Sequence, residues 1–546
     1  MQDDLKKNLL RFDVLNRDSV DFMLDRYNRV NRWVIADMIR RSAHHYPDKT
    51  ALIFQDLALT YAQLEKECNR TANALISLGV EKYDRVAVLA HNTLHHVLIW
   101  FGCCKAGAVY LPVNYLLTGS EIQDCINHSE SKVLVVEDAL HMRVKDKIEG
   151  MSTVRSLIWS NQGLGQAAPD GSFLEFETWY RQFPDTEPAT ILRIEEPCQM
   201  IYTSGTEDNP KGVVINNQSL ISEYMSCILD GGYETSDVNI NALPIYHSVQ
   251  RDMFLNPVFY IGGTNILMGA DIAGVLKNIE TYRATMLFAS PTAWIGILRH
   301  PDLETYDLSS LKKLYCGISV MPAEVLEALR KRFVGAKIFN FYGQTEVASY
   351  HAILKGEEAW EKPESAGRAG LNMEMRLASG DGQEEVDAGE QGEIYGRGPH
   401  TMMMYFKEPE KTDAVMNGGW FHSGDVGVLD EDGCATVVDR KKDVIHSDDG
   451  SVASRPIEEV IYLDARVEEV AVVGVPRPEG AEVPIAVVVP VKGQVIREEE
   501  LFELCRKHLL AFEVPRKIIF VNALPKTNSG KLLKREIRKA YKDVLR

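Results

Sequence analysis

The chain has 546 residues, a formal net charge of -18 and a hydrophobic fraction of 45%. This length is too great for a single hydrophobic core and predicts several domains, while the acidic surface disfavours nucleic acid and anionic membranes, because both select for cationic partners. Nine scattered cysteines without CxxC spacing and the lack of an apolar run of about 20 residues favour a cytoplasmic protein with reduced thiols, no metal–thiolate site and no membrane span.

Short β-rich runs alternate with segments of helical period from Asn31 to about His300. The runs at 50–55, 85–91, 132–138 and 284–290 are typical of buried strands, and residues 60–79 and 118–130 have the period of amphipathic helices. A second set of strands follows at 311–317 and 336–343. This alternation predicts an α/β fold made of layered, mainly parallel sheets.

The composition changes between about residue 367 and residue 438, where short strands are separated by glycines and acidic turns, which indicates a mainly β subdomain. Beyond it, strand-like segments at 467–476 and 485–491, a helix at 497–510 and a basic last helix predict a compact α/β unit. We therefore predict a large domain over 1–438, a linker over 439–443 and a small domain over 444–546.

One short loop, in the segment IYTSGTEDNPKGVV, combines hydroxyls, a glycine and a lysine directly after an apolar strand. Glycine lets backbone N–H groups approach an oxyanion, hydroxyls donate to phosphate oxygens, and lysine neutralises charge. It is not a Walker A loop, because Pro210 and Gly212 replace residues that such a loop requires. The predicted phosphate-binding residues are Thr203, Ser204, Gly205, Thr206 and Lys211.

Several ordered motifs, taken together, resemble the acyl-adenylate-forming superfamily over nearly the whole chain. They are YTSGTEDNPKGV, LPIYHS, FYGQTE, GRAG, GEIYGRGP, WFHSGDVG, DRKKD and PKTNSGKLLKREI. The pattern is most similar to acyl-CoA synthetases. The resemblance implies a large adenylation domain followed by a mobile C-terminal lid. It also implies a reaction of a carboxylic acid with ATP and Mg²⁺ that gives acyl-AMP and pyrophosphate, followed by transfer of the acyl group to an acceptor.

The resemblance also implies roles for individual residues. Besides the five residues of the phosphate loop, the implied nucleotide-binding residues are Gly317, Tyr342 for adenine, Asp425 for the ribose hydroxyls and Arg440 for the ribose or the α-phosphate. The implied catalytic residues are Lys531 at the acid carboxylate and the α-phosphate, Thr345 at the α-phosphate, Glu346 as the ligand of Mg²⁺, and His247 at the acyl pocket.

The wall of the acid pocket is expected to include residues 247–254. Arg251 and Asp252 are polar for a wall that meets a plain fatty chain, which hints at a shorter or functionalised acid.

The sequence departs from the resemblance in the lid. Lys442 corresponds to the hinge, and the loop that follows it carries Asp448 and Asp449 where the related CoA ligases have two glycines. CoA is the acceptor expected by family frequency. An amine is the alternative, as in amide ligases of the coronafacic acid type, because a carboxylate can bind an ammonium group or accept its proton. Intact Lys531, Glu346 and Asp425 disfavour a third possibility, a binding protein without catalysis.

Overall fold

The computed structural model describes residues 26, 30–203, 210–317, 321–356, 358–379, 384–448, 450–464, 466–477, 480–526 and 532–545. The predicted α/β class and the division into a large N-terminal and a small C-terminal part are confirmed. No helix in these ranges is both long and apolar enough to cross a membrane.

The first of two large sheets has nine strands, and those from β14 to β1 in its middle run parallel. In spatial order they are β16 (Arg368–Ala369), β15 (Ala352–Lys355), β14 (Lys337–Tyr342), β13 (Lys313–Gly317), β12 (Met286–Phe288), β10 (Val238–Asn241), β11 (Thr264–Leu267), β1 (Thr50–Phe54) and β2 (Leu57–Thr60).

The second large sheet has eight strands and ends in an antiparallel pair on the side of β20 and β9. In spatial order they are β20 (Met404–Tyr405), β9 (Lys211–Asn216), β8 (Pro197–Thr203), β4 (Val109–Pro112), β3 (Arg85–Leu89), β5 (Val133–Glu137), β6 (Ser156–Ser160) and β7 (Phe173–Glu175).

A third, antiparallel sheet has the order β18 (Glu384–Glu385), β17 (Glu374–Ser379), β19 (Gln391–Arg397), β21 (Phe421–Leu429) and β22 (Ala435–Arg440). The C-terminal part contains a hairpin of β23 (Ile445–Ser447) and β24 (Gly450–Val452). It also contains a sheet of β25 (Val467–Arg477), β26 (Gly480–Pro490) and β27 (Lys517–Phe520).

Helices cover the sheets and connect their strands. They are α1 (Asp37–His45), α2 (Tyr61–Ser77), α3 (Leu94–Ala106), α4 (Gly119–Ser129), α5 (His141–Val144), α6 (Phe176–Tyr180), α7 (Asn217–Gly231), α8 (Asn256–Ile261), α9 (Ile272–Tyr282), α10 (Pro291–Leu298), α11 (Ala323–Arg332), α12 (Glu358–Glu361), α13 (Pro409–Val415), α14 (Ser454–Tyr462), α15 (Glu498–His508) and α16 (Lys534–Tyr541).

Local sequence explains why the best predicted helices begin where they do. Helix α2 is capped by a reciprocal pair between Thr60 and Gln63, and α4 by the same arrangement of Thr118 and Glu121. Helix α3 is buried at every position and belongs to the largest hydrophobic cluster, which fits its nearly continuous apolar sequence. The strands predicted from short apolar runs all form within a few residues of the expected ends.

Candidate active site

Three of the predicted nucleotide-binding residues lie at the carboxyl ends of strands in the two large sheets. Thr203 ends β8, Gly317 ends β13 and Tyr342 ends β14. Carboxyl ends of parallel strands are the usual ligand-binding edge of an open α/β sheet. In β13, a Cβ on Gly317 would lie 2.6 Å from the carbonyl oxygen of Phe341, its register partner, so the close strand pairing requires glycine here.

The phosphate loop connects the antiparallel strands β8 and β9. Thr203 pairs with Lys211 in the antiparallel register of β8 and β9. The predicted hydroxyl and ammonium groups therefore lie on neighbouring strands, directly across from each other at the base of the loop. The Nζ atom of Lys211 lies 5.0 Å from the centre of the Tyr405 ring. The predictions for Ser204, Gly205 and Thr206 fall outside the described residues.

Asp425 is fixed from two sides at the mouth of a cavity. The hydroxyl of Tyr342 donates to Oδ2 of Asp425 at 2.6 Å, and Nε of Arg440 lies 2.7 Å from Oδ1. Arg440 faces Asp425 across the β21–β22 ladder, which explains this second contact. Desolvation and the neighbouring carboxylate raise the pKa of Tyr342 well above its usual value, so the phenol stays a donor.

The cavity beside this pair has a volume of about 200 Å³. Its wall includes the end of β14, Asp425 and Arg440 from the third sheet, Asp439 at the start of the linker, and Arg455 from α14. Behind Tyr342, the buried His351 ring stacks on the tyrosine with centroids 5.8 Å apart. Burial lowers the pKa of His351 to about 4, so this imidazole is neutral and supports the tyrosine without adding charge.

A short 3₁₀ turn, Thr345–Val347, directly follows β14 and carries the predicted metal ligand. Oε1 of Glu346 accepts a hydrogen bond from the hydroxyl of Tyr405 at 2.9 Å, and its carbonyl accepts one from the N–H of Met402 at 2.8 Å. Gly343 permits the sharp bend, since a Cβ there would lie 2.2 Å from the carbonyl oxygen of Ser349. Thr345 and Glu346 therefore lie at the same strand edge as Tyr342.

His247 is exposed and lies in the loop between β10 and a π-helical segment, Val249–Leu255. The side chain of Asn92 holds this loop, because its Oδ1 accepts from the N–H of Ile245 and its Nδ2 donates to the carbonyl of Leu243, both at 2.8 Å. Sequence reasoning missed Asn92, since it is 153 residues away from Ile245 along the chain.

Arg251 and Asp252 do not offer free polar groups to an acid, which corrects the hint drawn from the sequence. Both are buried, and Nη2 of Arg251 lies 2.8 Å from Oδ2 of Asp252. Gln199 bonds to both side chains, and Asn256 donates to the remaining oxygen of Asp252. A buried charge pair needs such partners to offset its desolvation, so the network belongs to the interior.

The linker is held to the small C-terminal part by Asp439. Its Oδ2 accepts from the N–H of Ser454 at 2.5 Å and from its hydroxyl at 2.6 Å, at the start of α14. The carbonyl of Lys442, the predicted hinge, accepts from Arg538 at 3.3 Å. Lys531 lies outside the described residues.

Asp448 forms an ion pair with Arg477 and also accepts from the N–H of Ala481 at 3.3 Å. The acidic turn predicted from the sequence is thus partly neutralised by a cation of its own domain. Asp449 lies outside the described residues.

The donor set fits Mg²⁺ that arrives with a nucleotide. Within the described ranges no three His, Cys, Asp or Glu side chains come together as a metal cage. Mg²⁺ is commonly held by one or two carboxylates together with substrate phosphates. The Glu346 carboxylate, which Tyr405 joins to the strand that Lys211 begins, supplies an oxygen ligand of this kind.

Comparisons with known proteins identify the family of this chain. The sequence profile described as "AMP-binding enzyme" matches residues 39–406, and "AMP-binding enzyme C-terminal domain" matches residues 456–531. The chain belongs to this family, whose members are ATP-dependent acid ligases.

Three relatives mark its position within the family. A feruloyl-CoA synthase of Amycolatopsis sp is 35% identical over 92% of this chain and 98% of its own. An anthranilate CoA ligase, AuaEII, solved with anthranoyl-AMP, is 25% identical with a TM-score of 0.84, covering 93% of this chain and 97% of its own. The amide bond synthetase McbA of Marinactinospora thermotolerans is 27% identical with a TM-score of 0.81, covering 93% and 100%. Both kinds of acceptor thus occur among similar proteins.

Proposed function

We propose that this acid ligase activates an aromatic carboxylic acid as its acyl adenylate and passes the acyl group to the thiol of CoA. The observation that supports the adenylation step most directly is the position of the Asp425 carboxylate, which Tyr342 and Arg440 hold beside a cavity of about 200 Å³. A carboxylate fixed in this way can accept from both hydroxyls of a ribose, and the ring of Tyr342 offers a face to adenine.

The triphosphate would lie toward the hairpin of β8 and β9. Lys211 supplies a positive charge there, and Thr203 and Thr345 supply hydroxyl donors to phosphate oxygens. Glu346 would hold Mg²⁺, which when bound neutralises phosphate charge. Lys531 would approach the reacting carboxylate from the lid and stabilise the negative charge that develops in the transition state.

The proposed acid is compact and flat because of an aromatic cluster around Phe254, the last residue of the segment expected to line the acid pocket. The rings of Phe254 and Phe288 stack with centroids 4.4 Å apart, and Tyr315 packs against Phe254 at 5.2 Å. All three are buried. A long alkyl chain entering this cluster would have to displace them, whereas an aromatic acid could pack against them. The names of the feruloyl-CoA synthase and the anthranilate CoA ligase support the same class of acid.

CoA is the proposed acceptor because the structure weakens the argument for an amine, which depended on the acidic loop that contains Asp448. The carboxylate of Asp448 is paired with Arg477, so it is not a free base waiting for an ammonium group. Similarity over 92% of the chain to a CoA synthase supports a thiol acceptor. The likeness to McbA and the presence of Asp449 support the alternative, amide formation with an amine.

The test is mass spectrometry of the products formed from MgATP with ferulate, anthranilate, benzoate, octanoate or palmitate. Each acid is offered with CoA or with a mixture of amino acids, and pyrophosphate release is followed in parallel. We expect pyrophosphate release with the aromatic acids and thioesters only in the presence of CoA.

Two results would contradict parts of the proposal separately. Amides formed from the same acids without CoA would replace the acceptor and leave the adenylation step in place. Turnover of palmitate alone would overturn the argument from the aromatic cluster.

A further inference from the structure

One buried tyrosine contacts both of the charged groups that the proposed function assigns to the phosphates and the metal. Tyr405 is 5% exposed, and its hydroxyl donates to Oε1 of Glu346 at 2.9 Å. The face of its ring lies 5.0 Å from the ammonium group of Lys211. Glu346 and Lys211 come from different sheets, and Tyr405 joins them.

Backbone pairing fixes the place of this tyrosine independently of those side-chain contacts. Tyr405 pairs with Val213 in the antiparallel ladder of β20 and β9, so it lies beside the strand that Lys211 begins. Three residues earlier, the N–H of Met402 donates to the carbonyl of Glu346. The short segment 402–405 therefore binds the turn of Glu346 to the strand of the phosphate hairpin at two points.

The chemistry of these contacts suits a carboxylate and an ammonium that must both face a ligand. A carboxylate offers two oxygens, so Glu346 can accept from Tyr405 with one and meet a cation with the other. An aromatic face attracts an ammonium without neutralising it. A phenol is protonated at physiological pH, so the hydroxyl of Tyr405 is the donor in its contact with Glu346.

We propose that Tyr405 is a positioning residue that orients Glu346 toward Mg²⁺ through its hydroxyl and holds Lys211 toward the phosphates through its ring. This role rests on the proposed function. The proposal assigns one effect to the hydroxyl of Tyr405 and another to its ring, so two substitutions can test the two effects separately.

The experiment uses the full chain with Tyr405→Phe, which removes only the hydroxyl, and Tyr405→Leu, which also removes the ring. Binding of Mn²⁺ together with ATP is measured by the enhancement of water-proton relaxation, which distinguishes the enzyme-bound Mn²⁺–ATP complex from the complex free in solution. Binding of ATP without metal is measured by calorimetry in EDTA. The control is Tyr61→Phe, since Tyr61 is also buried and donates its hydroxyl to the carbonyl of Gly263, and neither residue lines the cavity beside Asp425.

We expect Tyr405→Phe to weaken Mn²⁺ binding about tenfold, as is usual when a partner of a metal ligand is lost. Its affinity for ATP in EDTA should stay within about twofold of the unaltered chain, because the ring still faces Lys211. Tyr405→Leu should in addition weaken ATP binding in EDTA by about threefold, the size of a modest cation–π contact. Tyr61→Phe should change neither quantity.

Three outcomes are decisive. Unchanged Mn²⁺ binding by a folded Tyr405→Phe chain would overturn the orienting role of the hydroxyl. If Tyr405→Phe weakened Mn²⁺ binding and metal-free ATP binding by the same factor, the role of the hydroxyl would be merely structural, which would also overturn the proposal. If the unaltered chain releases no pyrophosphate with any acid, the proposed function fails. If it releases pyrophosphate normally and the Tyr405 variants keep its affinities for Mn²⁺ and ATP, only the role of Tyr405 is overturned.

Discussion

The hydroxyl of Tyr342 donates to the carboxylate of Asp425 across 2.6 Å, which joins the end of a parallel strand in the first large sheet to the antiparallel third sheet. Arg440 holds the other oxygen of the same carboxylate. The geometry of the proposed ribose site thus depends on a contact between two sheets, and it can be tested without removing the carboxylate itself.

Tyr342→Phe removes the hydroxyl donor and keeps the aromatic face. Because a hydrogen bond to a charged group contributes about 1.5 to 3 kcal/mol, we expect the KM for ATP to rise by about tenfold or more, with a smaller change in kcat. Pyrophosphate release against ATP concentration measures this, with Tyr61→Phe as the control. A KM that changes for the acid but not for ATP would contradict the assignment.

Lys531→Ala should separate the two half-reactions. Loss of one donor that stabilises transition-state charge costs about 10²- to 10³-fold in rate, so acid-dependent pyrophosphate release should fall by that amount. Thioester formation from chemically prepared acyl-AMP should stay within about threefold of normal, because that step follows adenylation. Near-normal pyrophosphate release would remove Lys531 from the catalytic step.

Much of this site could be predicted from the sequence, because most of its residues belong to short, continuous motifs. The phosphate loop, the turn with Glu346 and the strand with Asp425 are each short motifs whose residues are neighbours along the chain. The same is true of the strands at 85–91 and 132–138, whose apolar runs are sufficient to place them. The closing of the hairpin, with Thr203 opposite Lys211, also follows from local sequence.

The residues that were missed act through contacts distant in sequence. Tyr405 is 59 residues from Glu346, and Asn92 is 153 residues from Ile245, so no spacing rule connects them. Arg251 was misjudged for a related reason: its partner Gln199 lies in β8, 52 residues away along the chain, and sequence alone does not show that the charge is satisfied internally.

Replacing Asp448 and Asp449 together by glycine tests the acceptor. Since an exposed ion pair contributes only about 0 to 1 kcal/mol, we expect the stability of the lid and the rate of adenylation to change little. Thioester formation should be unchanged or faster, because two negative charges are removed. Arg477→Gln, which breaks the same pair while keeping both acids, is the matched control. A selective loss of amide formation in the double variant would instead favour an amine acceptor.

Glu223 makes stability depend on pH. It is buried on α7, and neither carboxyl oxygen has a hydrogen-bond partner among the described residues. Burial, and secondarily Asp252, raise the pKa of Glu223 well above its ordinary value of 4.5. The folded chain therefore keeps a proton that the unfolded chain releases, and stability falls as the pH rises through and beyond that value.

Glu223→Gln should remove this dependence. We expect the variant to be more stable than the unaltered chain at pH 8, by about 1 to 3 kcal/mol, and to differ less at pH 5. Urea unfolding of both chains at several pH values measures the difference, with the exposed Glu81→Gln as the control. A variant that is less stable at pH 8 would mean that the Glu223 carboxylate is stabilised by its surroundings.

The contact between Asp439 and Ser454 has a consequence for the release of product. The Asp439 carboxylate lines the cavity beside Asp425, yet its Oδ2 is occupied by the N–H and hydroxyl groups at the start of α14. A rotation of the proposed lid that carries Ser454 away would uncover this negative charge beside the place proposed for the nucleotide. Its repulsion would then act on the phosphate of AMP, so the proposed opening of the lid would also favour the release of AMP.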